Sequence, residues 1–264
     1  MTNLLRRGVR ALRRDGAGDL LGRLWRRTAR RTRRFFDTHV LGLARRIDPY
    51  LYLSLYRRVH GHDREINRLV ADNAREIAQR AGCAARPLFI DCGVNEGVIL
   101  SRYRKALTGF DFVGFEIQTD VIEQARKVNP GVELRNEAVA AEIGEVEVYL
   151  VGTARTNMRG GTSILRPRGR TPQQPSYKVP AIRFSDFLAE KRREGHDFIT
   201  VKMDIEGAEY QIIEDLHRVW SETRDRPIDY LMIEFHPALL DEPRDNGRYE
   251  ALLGEMGAPY STWI

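Results

Sequence analysis

Phe89-Ile90-Asp91-Cys92-Gly93-Val94-Asn95-Glu96-Gly97 is the stretch that decides the fold of this chain. Pro87 stands just ahead of it. The apolar start reads as a short strand that runs straight into a glycine-containing turn, and residues 96–107 then read as a helix. A strand, a tight turn and a helix N-terminus make a cradle for a nucleotide-like cofactor. Backbone N–H groups are expected to point outward, and missing side chains let a ligand approach closely. A second apolar run, Phe112-Val113-Gly114-Phe115, ends at Glu116, 23 residues after Gly93. An acidic residue there is placed to accept hydrogen bonds from a ribose.

Outward from this stretch the chain alternates between strand and helix. Strands are expected at 87–91, 111–116, 132–135, 145–151, 198–204 and 229–235. Helices are expected at 96–107, 119–128, 185–193, 207–219 and 247–256. Such alternation implies an α/β domain with a mostly parallel sheet and helices on both faces. Residues 145–151 alternate polar and apolar, which suits an edge or antiparallel strand. Residues 152–180, rich in Gly, Pro, Arg and Thr, read as one long loop, and loops of that length are commonly functional or disordered. Pro259–Ile264 can supply one more strand.

The first 80 residues read as helical. Phe36, Val40, Leu43 and Ile47 fall at helical spacing, as do Ile66, Leu69, Val70, Asn73 and Ile77, with Asp63 as the expected N-cap. The division is therefore a basic helical extension, 1–80, followed by an α/β domain, 81–264. The net charge of +6 belongs to the extension: residues 1–46 hold 14 Arg against 3 Asp, and the rest of the chain is mildly acidic. An arginine-rich amphipathic segment can rest on an anionic membrane or bind a polyanion, and it can equally be a solvated arm.

The 264 residues allow one large domain with an appendage, and 42% hydrophobic with 30% charged residues is an ordinary globular composition. No run approaches the roughly 18 apolar residues of a membrane span, and no signal-peptide core follows the N-terminal arginines. A cytoplasmic location is expected, membrane-peripheral if the arm meets anionic lipid. Cys83 and Cys92 are separated by the strand leading into the turn, and they are expected to be reduced.

Three cradles compete for the opening motif. A P-loop needs a Gly-Lys-Ser/Thr ending, which is absent. A dinucleotide fold prefers Gly-x-Gly-x-x-Gly, and here only Gly93 and Gly97 occur. Asp91 followed by Gly93, Asn95 and Gly97 suits a smaller ligand with no pyrophosphate. Asp91 can accept from a cationic amino group, Gly93 gives clearance, and Asn95 can cap the turn or bond a carboxylate. Together with Glu116, these features suit S-adenosylmethionine.

A second cluster, Lys202-Met-Asp204-Ile-Glu206-Gly-Ala-Glu209, ends the strand 198–204, and Lys202, Asp204 and Glu206 share one face of an extended segment. A third, Glu234-Phe-His236-Pro237, ends the next strand. Open α/β sheets bind ligands beyond the carboxyl ends of their strands, so Asp91, Glu116, Asp204, Glu206, Glu234 and His236 are expected around one crevice.

With these motifs the chain resembles the FkbM-type family of S-adenosylmethionine-dependent methyltransferases over about residues 87–237. Phe89–Gly97 is similar to its Asp-x-Gly-x-Asn-x-Gly signature, and Phe198–Glu209 to its Lys-x-Asp-x-Glu-Gly-x-Glu. Gly114-Phe-Glu116-Ile117, Asn136-Glu-Ala138-Val139 and Gly161–Leu165 resemble further family segments. The resemblance implies a class I, Rossmann-like methyltransferase fold whose sheet usually has a further antiparallel strand. It also implies O-methylation of a sugar, glycan or secondary-metabolite hydroxyl. The cofactor contacts then fall to Asp91, Gly93, Asn95, Gly97, Glu116, Ile117, Asn136 and Ala138.

An alcohol needs a base or a metal to lose its proton. The candidate catalytic residues are Lys202, Asp204, Glu206 and His236, with His236 the best base by its ordinary pKa. Asp204, Glu206 and Glu234 offer oxygens for Mg2+. An RNA methyltransferase using the basic arm, or a cofactor-binding scaffold without catalysis, is the alternative. Confinement of the charge to the arm speaks against a nucleic-acid partner, and the oligomeric state is not legible.

Overall fold

The computed structural model describes residues 62–150, 162–164, 177–237 and 244–263. The basic arm 1–46 and most of the loop 152–180 lie outside the described residues. The chain divides into two compact units, Met1–Val70 and Ala71–Ile264. Of the first unit, only the opening turns of α1 (His62–Ala81) are described.

The second unit is built on a sheet of six strands. They are β1 (Pro87–Cys92), β2 (Asp111–Phe115), β3 (Glu133–Arg135), β8 (Phe198–Met203), β9 (Tyr230–Ile233) and β10 (Tyr260–Thr262), in the spatial order β10-β9-β8-β1-β2-β3. All five pairings are parallel. β1, β8 and β9 are buried along their whole length, as strands covered on both faces must be. Their apolar residues follow from that. Leu88, Ile90, Val201, Met203 and Leu231 fill one face, beneath Phe187 and Leu188 of α4 (Phe184–Arg193) and Ile213 and Leu216 of α5 (Glu209–Thr223). On the other face Phe89 meets Tyr103 of α2 (Val98–Ala106), ring centroids 4.7 Å apart, and Asn73 of α1 donates to the Tyr103 hydroxyl. The helical expectations at 96–107, 119–128 and 247–256 correspond to α2, α3 (Thr119–Val128) and α6 (Asn246–Glu255).

The chain enters the sheet in the middle at β1, winds outward to β3, then crosses back to β8 on the other side of β1. The switch point of the topology therefore lies between β1 and β8, where open sheets leave a crevice. The C-terminal segment forms β10, which pairs parallel with β9, so no antiparallel strand occurs among the described strands of this sheet.

A second, small sheet in the order β4-β7-β5-β6 differs from the sequence expectation. It contains β4 (Ala138–Ala140), β5 (Gly144–Leu150), β6 (Thr162–Ser163) and β7 (Tyr177–Arg183). β5 is antiparallel to both neighbours, as its alternation implied. β7, however, begins inside the segment read as loop 152–180.

β7 runs directly into α4, and a charged knot ties this junction to α5. Asp215 on α5 is nearly buried. It accepts from Arg183 Nε and Nη2 at 3.1 and 2.7 Å, from Ser185 Oγ at 2.5 Å and from Arg218 Nη2 at 2.8 Å. Burial alone would raise the Asp215 pKa, but the bonds from Arg183, Ser185 and Arg218 outweigh it and hold the carboxyl below its ordinary value. A depressed carboxylate contributes stability that is present above its unfolded-state pKa and is lost as pH falls through the native one. Asp215→Asn is expected to cost on the order of 2 kcal/mol at pH 7. In urea titrations the gap to the parent protein should shrink steadily below pH 4, and a gap independent of pH would contradict this reading.

Candidate active site

An open cleft lies at the switch point, lined among others by Gly93, Glu116, Ile117, Asp204 and Glu206. Phe115, Ile117, Val139 and Ile164 give it apolar walls.

Its floor is set by Gly93. A Cβ at Gly93 would lie 2.0 Å from the Asp204 carbonyl oxygen, and its φ of +90° is a conformation that glycine adopts freely. The missing side chain therefore brings the turn after β1 against the loop after β8. Gly97 serves a different end. A Cβ there would strike Asn129 and Ala125 of the α3 region, so this glycine lets α2 and α3 pack and does not line the cleft.

The turn's N–H groups do not point outward as the sequence suggested. Gly93 and Val94 both donate to the Phe115 carbonyl, at 3.0 and 2.9 Å. Asn95 N–H donates to Glu116 Oε2, Glu96 N–H to Asn95 Oδ1, and Gly97 N–H to the Val94 carbonyl. Asn95 thus caps the turn from a left-handed φ of 52°, which asparagine tolerates well. With its donors already used, the turn is a poor anion cradle, and a neutral or cationic ligand suits it better than a pyrophosphate.

Glu116 closes the second wall. Its two oxygens accept from Asn95 N–H at 2.9 Å and Gln118 N–H at 3.0 Å, which aligns the carboxylate at the cleft rim. Burial raises its pKa, and these N–H bonds oppose the rise without cancelling it. Asn136 is not among the lining residues. It donates to the Glu116 carbonyl at 2.8 Å and accepts from Thr119, so it braces the rim, whereas Ala138 and its neighbours line it.

Asp91 and Lys202 lie beneath the cleft. Asp91 is fully buried, and Lys202 is 3% exposed. Lys202 Nζ donates to Asp91 Oδ1 at 3.2 Å, lies 3.5 Å from Asp204 Oδ2, and sits 5.3 Å from the Trp263 ring centroid. Burial would lower the Lys202 pKa, but Asp91 and Asp204 more than reverse it, so the ammonium stays charged. Asp91 Oδ2 has no hydrogen-bond partner among the described residues, and burial raises the Asp91 pKa despite Lys202.

Asp204, Glu206, Glu234 and His236 gather at the ends of β8 and β9. His236 Nε2 lies 3.8 Å from Asp204 Oδ1, 3.8 Å from Glu206 Oε2 and 3.5 Å from Glu234 Oε1. Its Nδ1 is 2.8 Å from Oε1 of Glu209, which is wholly buried. Burial alone would lower the imidazole pKa, but Glu209, Glu206 and Asp204 push it up to about 9. The free histidine is therefore an imidazolium at neutral pH, not the ordinary base its residue type suggests. Burial raises the carboxyls of Glu206 and Glu234. Glu206 itself sits at a left-handed φ of 58°, and its carbonyl accepts from Ser163 Oγ at 2.6 Å. A strained non-glycine residue of this type commonly marks a functional loop.

Glu209 was the residue that motif reading left without a role. It also accepts from the Ile205 and Gly207 N–H groups, at 3.1 and 2.8 Å, and so shapes the loop that carries Glu206. Its signal was present as the last acid of the Lys202–Glu209 run, but its partner His236 is 27 residues away. Ile164 and Ser163 join the site only because β6 folds over β5.

A six-stranded parallel sheet entered at its centre, with a cleft at the switch point, is a Rossmann-like arrangement. The description "Methyltransferase FkbM domain" matches residues 91–260, and the chain belongs to that family. Among solved structures it is similar to S-adenosylmethionine-bound CalS10, an amino pentose methyltransferase from Micromonospora echinaspora involved in calicheamicin biosynthesis. The identity is 27%, over 32% of this chain and 33% of that one, with a TM-score of 0.26. This chain thus spans about a third of that relative's length. No curated protein matches it. No described helix is long and apolar enough to cross a membrane.

Proposed function

We propose that this protein transfers a methyl group from S-adenosylmethionine to a hydroxyl of a small-molecule or glycan acceptor, a sugar or secondary metabolite. The observation that carries the reading is a cleft lined by apolar side chains, by Glu116 and by Asp204 and Glu206, the last two each 3.8 Å from His236 Nε2. Phe115, Ile117, Ala138 and Val139 would hold the adenine, and Glu116 the ribose. Bound there, S-adenosylmethionine supplies an electrophilic methyl group on a cationic sulfur.

The chain's own work is to orient the acceptor and take its proton. With no cation at the cluster, His236 Nε2 already carries a proton at neutral pH, so the hydroxyl proton passes to a carboxylate. Glu206, whose pKa burial raises and which lines the cleft, is the carboxylate placed to accept it. Asp204 orients the hydroxyl beside it. Lys202 acts through Asp204 and Asp91 and does not touch the substrate. The same oxygens of Asp204, Glu206 and Glu234 would face a divalent cation bound at the cluster. In this reading 81–264 is the catalytic domain. The basic extension 1–80 holds it against anionic membrane through residues 1–46, within a cytoplasmic setting.

The test joins donor and transfer. S-adenosylmethionine is expected to raise the melting temperature of the protein in a concentration-dependent way. Glu116→Ala should weaken its binding roughly ten- to a hundredfold, the loss of one or two charge-assisted hydrogen bonds. Labelled methyl groups should appear in an extract of the source cells in an alkali-stable, ether-linked product. A melting temperature unmoved by saturating S-adenosylmethionine would overturn the proposal.

A further inference from the structure

Four carboxylates face one imidazole at the ends of β8 and β9. Glu209 takes the Nδ1 side at 2.8 Å and is itself pinned by the Ile205 and Gly207 N–H groups. The ring is thereby fixed in plane, with Nε2 turned toward Asp204, Glu206 and Glu234. The separations from Nε2, 3.8, 3.8 and 3.5 Å, are longer than hydrogen bonds. Donor atoms of Asp204, Glu206 and His236 all lie within 4.8 Å of one another. Donors bonded to one ion at about 2.1 Å stand roughly 3–4.2 Å apart. The three separations from Nε2 to Asp204, Glu206 and Glu234 fall in that range. Its ligands come from the ends of adjacent paired strands, where Met203 is in register with Ile233, so the spacing is held by the sheet.

We propose that Asp204, Glu206 and His236 bind a first-row divalent transition metal such as Mn2+, with Glu234 as a fourth ligand and Glu209 as the residue that positions the imidazole. Two features set the metal class. Mg2+ favours oxygen donors in a near-ideal octahedron, whereas an imidazole nitrogen among carboxylates suits Mn2+, Fe2+ or Zn2+. The buried carboxylate on Nδ1 is the outer partner that metal-bound histidines ordinarily have, and it selects Nε2 as the ligating atom. Three carboxylates facing Nε2 also leave a local negative charge that a dication offsets. One face of the ion would remain toward the cleft, open to an acceptor oxygen. Metal binding stands apart from the methyl-transfer reading and is measured without donor or acceptor.

The experiment uses the full chain stripped with chelator and titrated with MnCl2 at pH 7.5, followed by the loss of the free Mn2+ spin-resonance signal, with MgCl2 in a parallel calorimetric titration. One Mn2+ per chain is expected, bound at least tenfold more tightly than Mg2+. His236→Gln and Asp204→Asn should each weaken Mn2+ at least tenfold, and Glu209→Gln about 10- to 100-fold. His217→Gln, whose imidazole pairs with Glu255 on another face, should change nothing. Should Glu209→Gln fail to fold, the other two site variants decide. No Mn2+ bound at about 1 mM, binding unchanged in His236→Gln, or Mg2+ bound as tightly as Mn2+ would each overturn the assignment.

Discussion

Lys202→Met is expected to lower the unfolding free energy by about 3–5 kcal/mol, and the melting temperature by roughly 10 °C. The ammonium is 3% exposed and neutralises a carboxylate that has no access to water at all. Asp91 already has one oxygen without a partner, so removing Lys202 leaves both oxygens of a buried group unsatisfied. Methionine preserves the length of the stem and its contact with Trp263, which isolates the loss of charge. The pairing sits in the register Asp91 with Lys202 at the centre of the sheet, where neither β1 nor β8 can shift to admit solvent. Removing both charges, Asp91→Asn with Lys202→Met, should recover a large part of the loss, because a buried pair contributes little beyond the cost of burying it. Urea unfolding of the three variants measures this. A loss below about 1 kcal/mol in the single variant would mean that Asp91 is stable unpaired, and the account of the buried pair would fail.

The main sheet was legible because buried parallel strands write themselves as continuous apolar runs, and Leu88–Ile90 or Phe198–Val201 admit few other readings. The small sheet was half hidden. β5 betrayed itself by alternation. β7 did not, because Pro180 lies in its middle, and proline ordinarily argues against an interior strand. The structure accommodates it: pairing with β4 begins only at Ala181, so Pro180 has a strand neighbour on one side. β4 is three small residues, too short for any pattern. At the site, the residue types at strand ends were readable, while their division of labour was not. Asp91 lies inside β1, paired with Gly114 and Lys202, and is buried in the core, whereas Asp204 comes after the last residue of β8 and lines the cleft. The pKa of His236 was beyond sequence altogether, since it depends on Glu209 and Glu206, which approach it only in the fold.

The contrast between these two aspartates gives the second large effect. Asp204→Asn is expected to reduce kcat about 10²- to 10⁴-fold while leaving S-adenosylmethionine affinity within a few-fold of the parent protein. Asp204 is partly open to the cleft, and its two oxygens face different partners, Oδ2 toward Lys202 and Oδ1 toward His236. Asparagine keeps the shape and the loop geometry, including the Asp204 N–H bond to the Cys92 carbonyl, which is a backbone contact. It removes the charge that faces the cleft. Stability should fall by far less than in Lys202→Met, because Asp91 still pairs with the ammonium. The two variants therefore separate a group that holds the site from a group that works in it. Labelled-methyl transfer into cell extract measures turnover, calorimetry measures donor affinity, and urea unfolding measures stability on the same preparations. Unchanged turnover with unchanged donor affinity would remove Asp204 from the catalytic machinery. A collapse in stability equal to that of Lys202→Met would instead move it into the core of the fold with Asp91.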